Sequence, residues 1–537
     1  MLKDSFLAAL LSGMAFLPIE SVRGEMGENG KKMKEVPSEA FFQAAQFTLA
    51  NPNLPRAASV PAQLSYQDYV SNLGKLIYYW GYPLVDVYGR TLPLSEIKQA
   101  GVLFGLIPIA PINQMGYLSF YLPSSQRWVV SPNHDTIYGN SFIDLSQGPV
   151  VVQAPINVPS SHYWTIQIAD AFTNVIHQLG SRSKTIGGKY LLVGPNWQGE
   201  VDQGEFVEVL RSPTHLNWIA ARSFMALTNE SQDRAIQVLS QIGIYPLADN
   251  KSGFRTFDVK KLSHNKILPP GVQESGIDVN SERFRPQWVN PKAFWSALKK
   301  AVAMNPQAST NDQAMLEQAK VLINLYESDP VYKDLLDRVA LEADTQLKTG
   351  AHYQFVGIQA GNGWQRQHHG GIWGTNWFGR AQAAVIYIMV NDYHEAIYFL
   401  RSTDAASQLL DGKNHYTITF AKDALPPVDF KQGGFWSLTV YDEEYFMLAD
   451  PANGRNNVGS VNLDDKELKF NSDGSLTIYL STQEPSDLNV RANWLPTPAD
   501  HFSLLMRVYV PRSEIESGQY LLPNVVRVKE DFFTPVE

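Results

Sequence analysis

The chain has 537 residues, 44% of them hydrophobic and 12% aromatic, with a formal net charge of -9. This length exceeds what one hydrophobic core supports and predicts two or three domains, while an acidic balance with no Lys/Arg run interleaved with aromatics excludes a phosphate-backbone partner, so nucleic acid is not expected. Cysteine is absent, which excludes disulfides, thiolate metal ligands, a cysteine nucleophile and cysteine-linked lipids.

Phe6 to Ile19 form an apolar run interrupted by Gly13 and Pro18, preceded by Lys3 and followed by small residues up to Gly24. The run is too short to span a bilayer and predicts a secretory signal over 1–24, hence a periplasmic or secreted protein. No later segment is long and apolar enough for a membrane helix. Residues 25–64 read as a polar arm with at most a short helix near Ser38 to Leu49. From Ser65, Tyr69, Leu73, Leu76, Ile77 and Trp80 recur at helical spacing, and Pro83 is expected to end that helix. Between Trp128 and Arg211 the pattern turns to strands. In HYWTIQIAD, Trp164, Ile166 and Ile168 alternate with Tyr163, Thr165 and Gln167 as in a half-buried strand, and PVVVQAP, KYLLVGP and FVEVLRSP continue the series. Residues 65–230 are therefore expected to form a β-sandwich with an entry helix.

Helices are expected again over His215 to Leu227, Ser231 to Ile242, from an Asn290-Pro291 cap to Met304, over Asp312 to Tyr326 and over Val331 to Leu347, giving a mainly helical domain over 231–400. HYTITFA, FWSLTVYD, SLTIYLS and FSLLMRVYVP restore strand patterning, with a hairpin-type turn at Asn471 to Gly474, and predict a second β-sandwich over 401–537. The fold class is α+β, multidomain.

The motifs YWGYPL (from Tyr79), NHDTIY (from Asn133), DLSQGPVVV and GKYLLVGPNW resemble the family known as domain of unknown function 1254. GTNWFGRA, EAIY, PPVDFKQGGFWSLTVYD, NSDGSLTIYL and NWLPTPADHFSLLMRVYVP are similar to domain of unknown function 1214, and the two families occur together. The resemblance runs from roughly Ser65 to Pro523, and it is specific because so many fragments fall in the right order. It implies an immunoglobulin-like β-sandwich, a helical domain and a jelly-roll-like β-sandwich. It implies no established activity, so no catalytic residue is carried over.

Several residues stand out as candidates. His134, Asp135, Thr136 and Tyr138 crowd one turn, and Asp170 and Asn174 close the next strand. His134, His162 and His177 with Asp135 have the donor atoms of a metal site but no known ligand spacing, and His134 occupies the variable position of the Asn-x-Asp-Thr-x-Tyr motif, so no metal is assigned. Asp135 and Asp170 are the candidates for acid or base work; the alternative is that they pin turns. Asn133 and Tyr138 are candidate ligand contacts. Among Arg182, Arg211 and Arg222, an arginine set against Asp135 or Asp170 would be an ordinary buried pair, whereas one facing a pocket would hold a carboxylate or phosphate through its planar fork. Gly361 to Arg380 carries Trp364, Trp373 and Trp377 with the adjacent His368 and His369. Its rings suit stacking against sugars, with Arg380 beside them, or else they plug a domain interface. An unbroken helix from Arg380 would place Asp392 and Glu395 on its apolar face as candidates for acid or base work or ligand contact, but the resemblance implies a break near Asn391, after which Glu395 caps or pairs locally. Asp442 and Asn493-Trp494 sit where sandwich loops gather, or serve as turn and core plug.

These readings converge on an exported protein, with no cofactor assigned, that binds a small-molecule or saccharide-like ligand in an interdomain cleft. The alternatives are a glycan or ester hydrolase using carboxylate chemistry, and a structural or assembly module joining copies of itself into a homo-oligomer. The absence of a G-x-S-x-G elbow and of a phosphate-binding glycine loop disfavours serine hydrolase and nucleotide chemistry.

Overall fold

The computed structural model describes residues 62–92, 96–202, 204–268, 288–353, 357–367, 369–387, 389–464 and 466–529. The expected signal sequence, the arm with its short helix and His368 lie outside the described residues. Two units divide the chain, Met1–Tyr66 and Gln67–Glu537, and every described sheet belongs to the second.

The entry helix, Ala62–Thr91, does not stop at Pro83 but runs through it. An internal proline removes one hydrogen bond and costs about 3 kcal/mol, but the turns around it carry Ile77, Tyr78, Trp80, Leu84, Val85 and Val87, all essentially without solvent exposure. Each large apolar side chain so buried contributes roughly 1.5–3 kcal/mol, so packing outweighs the break. The helix is a member of a bundle rather than an annex of the first sandwich. Its residues share one core with Phe294–Met304, Thr310–Ser328 and Pro330–Tyr353. Gly81 permits the close approach, since a Cβ there would lie 2.9 Å from Leu298 Cδ1. The Asn290 side chain, expected to cap the bundle's second member, instead caps a short 3-10 turn, Pro291–Ala293, that leads into it, accepting from the Lys292 amide.

The first sandwich pairs two sheets. The five-stranded one runs Gly116–Leu118, Thr136–Asp144, Leu216–Phe224, Trp164–Asp170, Val175–Gly180 in spatial order, and the four-stranded one Gly243–Pro246, Val150–Ala154, Gly188–Val193, Val209–Arg211. Ile137, Ile166, Ile168 and Ile219 from the first meet Val150, Val152, Leu192 and Ile244 from the second in one core. Leu216–Phe224, expected as a helix, is thus the central strand. It is buried on both faces, so it shows no alternation, and a short apolar run of that kind has no period that separates strand from helix. The expected helix over Ser231 to Ile242 forms at Asn229–Leu239.

The second sandwich sets a six-stranded sheet against a four-stranded one. Ala396–Arg401, Phe502–Tyr509 and Phe435–Asp442 are adjacent in the former, and Leu476–Ser481 and His415–Phe420 in the latter. Phe399, Leu438 and Met506 meet Ile418, Ile478 and Leu480 between them. Ala396–Arg401 therefore belongs to the second sandwich. The preceding helix, Trp377–Ile386, ends before Asn391, which removes the shared apolar face for Asp392 and Glu395.

The strand Trp164–Asp170 is not half-buried: Thr165 and Gln167, on the side away from the core, are as hidden as Ile166 and Ile168. What covers them comes from the second half of the chain, as the Gln167 Nε2 donating to the Val390 carbonyl at 2.6 Å shows. Phe224, Tyr163, Phe435 and Tyr509 form one cluster across the junction. The outer face of one sandwich is thus closed by the outer face of the other.

Arg380, wholly buried, joins three of these parts. Its guanidinium makes a two-pronged pair with Asp312 of the bundle, at 2.8 and 3.0 Å. Asp312 also accepts from Trp80 Nε1 of the entry helix at 2.9 Å and from Asn174 Nδ2 of the first sandwich at 3.0 Å. Burial raises the Asp312 pKa, and the adjacent guanidinium more than offsets this, holding it below the usual value. Replacing Arg380 with Met leaves that carboxylate buried and uncompensated, and is expected to cost about 3–5 kcal/mol in urea unfolding. The double variant Arg380→Met/Asp312→Leu should recover part of the loss, and no recovery would mean that the pair itself is not what Arg380 supports.

Candidate functional site

Strand alternation decides what faces the junction. Tyr138 and Asn140 on one strand, and Trp218, Ala220 and Arg222 on its neighbour, point away from the first core, while Tyr398, Arg507 and Tyr509 point away from the second. These two sets do not close fully. They bound a cavity of about 170 Å³ whose remaining lining includes Leu106, Ile107, Leu118, Leu122, Val129, Val130 and Met389. Among the described lining residues there are three arginines and no Asp, Glu, His or Lys.

The polar groups are held in fixed positions. Arg222 Nη1 donates to Gln167 Oε1 at 2.8 Å and to Asn391 Oδ1 at 2.9 Å, and its guanidinium lies 5.7 Å from the centre of the Tyr138 ring. Asn391 in turn donates to the Tyr398 hydroxyl at 2.7 Å. Arg507 donates to Thr439 Oγ1 and to the Ser131 carbonyl, each at 2.9 Å, and to the Tyr441 hydroxyl at 2.6 Å. Asn133 Nδ2 donates to the Tyr509 hydroxyl at 3.0 Å. Burial keeps Tyr509 and Tyr387 well above the usual phenol range.

Asn133, Tyr138 and Arg222, noted from the sequence, thus meet in one place. The two candidate catalytic carboxylates do not. Asp135 accepts from Ser437 Oγ at 2.6 Å and from Asn457 Nδ2 at 2.9 Å, clamping the two sandwiches together; burial raises its pKa and these bonds oppose the rise. Asp170 closes its own turn, accepting from the Phe172 and Asn174 amides at 2.9 Å, and burial aided by the Asp312 charge pushes it up to about 6. Asp170 lies opposite Asn217 and Thr136 opposite Phe224 on the central strand. At about 3.3 Å per residue, the carboxylates stand roughly 25 Å apart, far beyond the spacing of a glycosidase pair.

The tryptophans are plugs. Trp364 is wholly buried in the second core with its Nε1 on the Pro523 carbonyl, Trp373 is buried and donates to the Thr173 carbonyl at 3.2 Å, and Trp377 packs half-buried on the bundle. None of them lines the cavity, nor do Arg380, Glu395 or Arg182, which borders a separate groove with Lys184 and Arg512. His134, His162 and His177 bond separately to the Leu122 carbonyl, Ser223 Oγ and the Arg211 carbonyl, and among the described residues no three His, Asp or Glu side chains converge as for a metal. Asp442 accepts from the Glu444 and Phe446 amides, and Trp494 is a buried plug.

Sequence reasoning passed over Arg507, Tyr398 and Tyr509. The signal was there: in FSLLMRVY and FWSLTVYD the residues facing away from the core include Arg507, Tyr509, Thr439 and Tyr441 and carry no Lys or Glu, which a solvated outer face would be expected to contain.

Residues 112–246 match the family described as "Protein of unknown function (DUF1254)" and residues 395–513 that described as "Protein of unknown function (DUF1214)". The crystal structure of the VPA0106 protein from Vibrio parahaemolyticus is similar, with a TM-score of 0.55 at 21% identity over 86% of this chain and 100% of that one. An uncharacterised protein from Burkholderia cenocepacia aligns with a TM-score of 0.41 at 13% identity, over 87% of this chain and 96% of that one. No curated protein matches the chain.

Glu395 is 1% exposed, and burial pushes its pKa up to about 7 against the opposing pull of the Tyr163 hydroxyl. The folded chain therefore holds this proton more tightly than the unfolded one, and the carboxyl lowers stability progressively as pH rises from about 4.5 to about 7. Glu395→Gln should be stabilising by up to about 3 kcal/mol at pH 8 and nearly neutral at pH 4.5. Chemical denaturation of both proteins across that range measures the difference, and a pH-independent difference would refute the assignment.

Proposed function

We propose that this chain, a member of the paired DUF1254 and DUF1214 family, is a small-molecule-binding protein whose ligand occupies the cavity between its two sandwiches. The observation that carries this reading is that two outer sheet faces, sealed against each other elsewhere, leave apolar walls around a few convergent polar groups, which is the composition of a ligand site. An apolar cavity of about 150 Å³ admits one benzene. This one suits a single ring or a short chain with one polar end. Walls of Leu, Ile and Val offer no partners to the many hydroxyls of a saccharide.

Among the described lining residues there is no Asp, Glu, His or Lys, so Ser131 and the tyrosine hydroxyls, the nucleophile types present, have no general base among them. The arrangement favours binding over hydrolysis. Export to a periplasm or beyond the cell is part of the same proposal and rests on the N-terminal run Phe6 to Ile19. The immunoglobulin-like and jelly-roll-like descriptions of the sandwiches belong to the proposal too, and their support is the face-to-face pairing of sheets that are antiparallel except for one parallel pair in each four-stranded sheet.

A thermal-shift screen of apolar one-ring and short-chain compounds is the test, run on the native sequence and on Ala220→Phe, whose added ring would fill the cavity. A ligand at a hundred times its Kd stabilises by about 2.7 kcal/mol, which should raise the native Tm by a few degrees and leave Ala220→Phe unmoved. Equal responses from the two proteins, or none from either, would reject the cavity as the site.

A further inference from the structure

The geometry points to a small apolar monocarboxylate as the occupant of this cavity, its carboxylate held by Arg222 with the hydroxyls of Tyr398 and Tyr509. The inference rests on the reading of the cavity as a ligand site and goes on to name the ligand's chemistry.

Arg90 is already accounted for. It pairs with Asp86 at 2.9 Å and lies over the rings of Trp218 and Trp288. Arg222 and Arg507 are different, for they are 4% and 2% exposed and neither has a carboxylate within ion-pairing distance among the described residues. Every acceptor of Arg222 is an amide or backbone oxygen, and its three hydrogen bonds use three of the five N–H donors a guanidinium carries. A buried cation with only neutral partners is costly, and it becomes favourable when an anion arrives.

The phenols point to the same conclusion. The Tyr509 hydroxyl accepts from Asn133 and the Tyr398 hydroxyl from Asn391, so each keeps its own proton for donation. This end of the cavity is a surface of donors. A carboxylate presents about four acceptor positions on two oxygens and suits it, and bonds between charged partners are about twice as strong as neutral ones. A phosphate fits less well, since it is larger and more highly charged and the walls around it are aliphatic.

Two carboxyls act on these guanidiniums through space. Asp135 lies near Arg507, its oxygens occupied by Ser437 and Asn457, and weakens the pull of that arginine. Glu395 interacts with Arg222 through space, and is itself also acted on by Tyr163, Arg182 and Asp392. Asp135 makes Arg222 the stronger anchor, and Glu395 makes moderately acidic solution the better condition for measurement.

Calorimetric titration of the full chain at pH 6 with benzoate, benzyl alcohol and benzylamine, and with hexanoate, hexanol and hexylamine, tests the assignment. The acids should bind at least about ten-fold tighter than the alcohols, with the amines silent, as expected when one charged bond is exchanged for a neutral one. Arg222→Gln should weaken the acid roughly 10–100-fold and leave the alcohol unchanged. Should that variant fail to fold, Tyr398→Phe carries the same comparison, with a loss of several-fold for the acid alone. Alcohols binding as well as acids, or a variant that weakens both alike, would overturn the carboxylate while sparing the cavity. Apolar compounds that stabilise the protein while all six probes fail would do the same. Silence from every compound in both experiments would remove the cavity reading and this inference with it.

Discussion

The constraint on which this structure depends is that each sandwich must hide its outer face as well as its inner one. A strand buried on one face can leave its other side chains to water; Leu216–Phe224 and Phe502–Tyr509, buried on both, cannot. Polar groups on those outer faces then need partners other than water, and several of these come from the opposing body. The junction supplies them in series: Asp135 with Ser437 and Asn457, Gln167 with the Val390 carbonyl, Arg222 with Asn391, and Arg507 with the Ser131 carbonyl. A slip of one residue on either sheet would turn its polar set into the core. The junction thus fixes the register of both sheets as well as their apposition.

The bundle is tied in by a different device. The Arg380–Asp312 pair is buried and costly to form, so it adds little by itself, but its hydrogen bonds reach Trp80, Asn174 and Ser309, which belong to separate elements. Apolar side chains of similar size would stabilise as much without choosing those partners. We read the pair as a specifier of how the bundle meets the first sandwich. The Arg380 Nη2 also reaches the Trp80 carbonyl at 3.4 Å, which ties the pair to the entry helix close to Pro83.

Where a face is buried only once, periodicity is a reliable guide, as in His415–Phe420 and the bundle helices. Where both are buried the period is lost and only flanking turn signals remain, which sufficed for Val150–Ala154 between its prolines but not everywhere. Leu216–Phe224 lost its alternation to double burial, and Pro83 was overridden by packing from segments more than two hundred residues away. The site was legible in the same uneven way. Asn133, Tyr138 and Arg222 drew notice as polar side chains in strand-rich sequence, but Asp135 and Asp170 did so equally, and only their positions at opposite ends of the central strand separate a clamp and a turn from a cavity wall. The tryptophans of Gly361 to Arg380 resembled a platform because sequence does not tell an exposed ring from one that fills a core. Arg507 and Tyr509 were hidden because their significance lies in what faces them.

The origin of the lining residues gives a physical reason for the pairing of two families in one chain. Asn133, Tyr138 and Arg222 come from the first matched region, and Tyr398, Arg507 and Tyr509 from the second. Neither region alone encloses the cavity: the first would present a buried guanidinium to water, and the second a row of tyrosines with nothing against them. The Asn133 bond to Tyr509 and the bridge from Arg222 through Asn391 to Tyr398 span the junction at the rim of the cavity. A ligand bound there would touch both sandwiches at once, and its free energy of binding would be shared with their docking. Separating the two regions would then remove the site along with the junction.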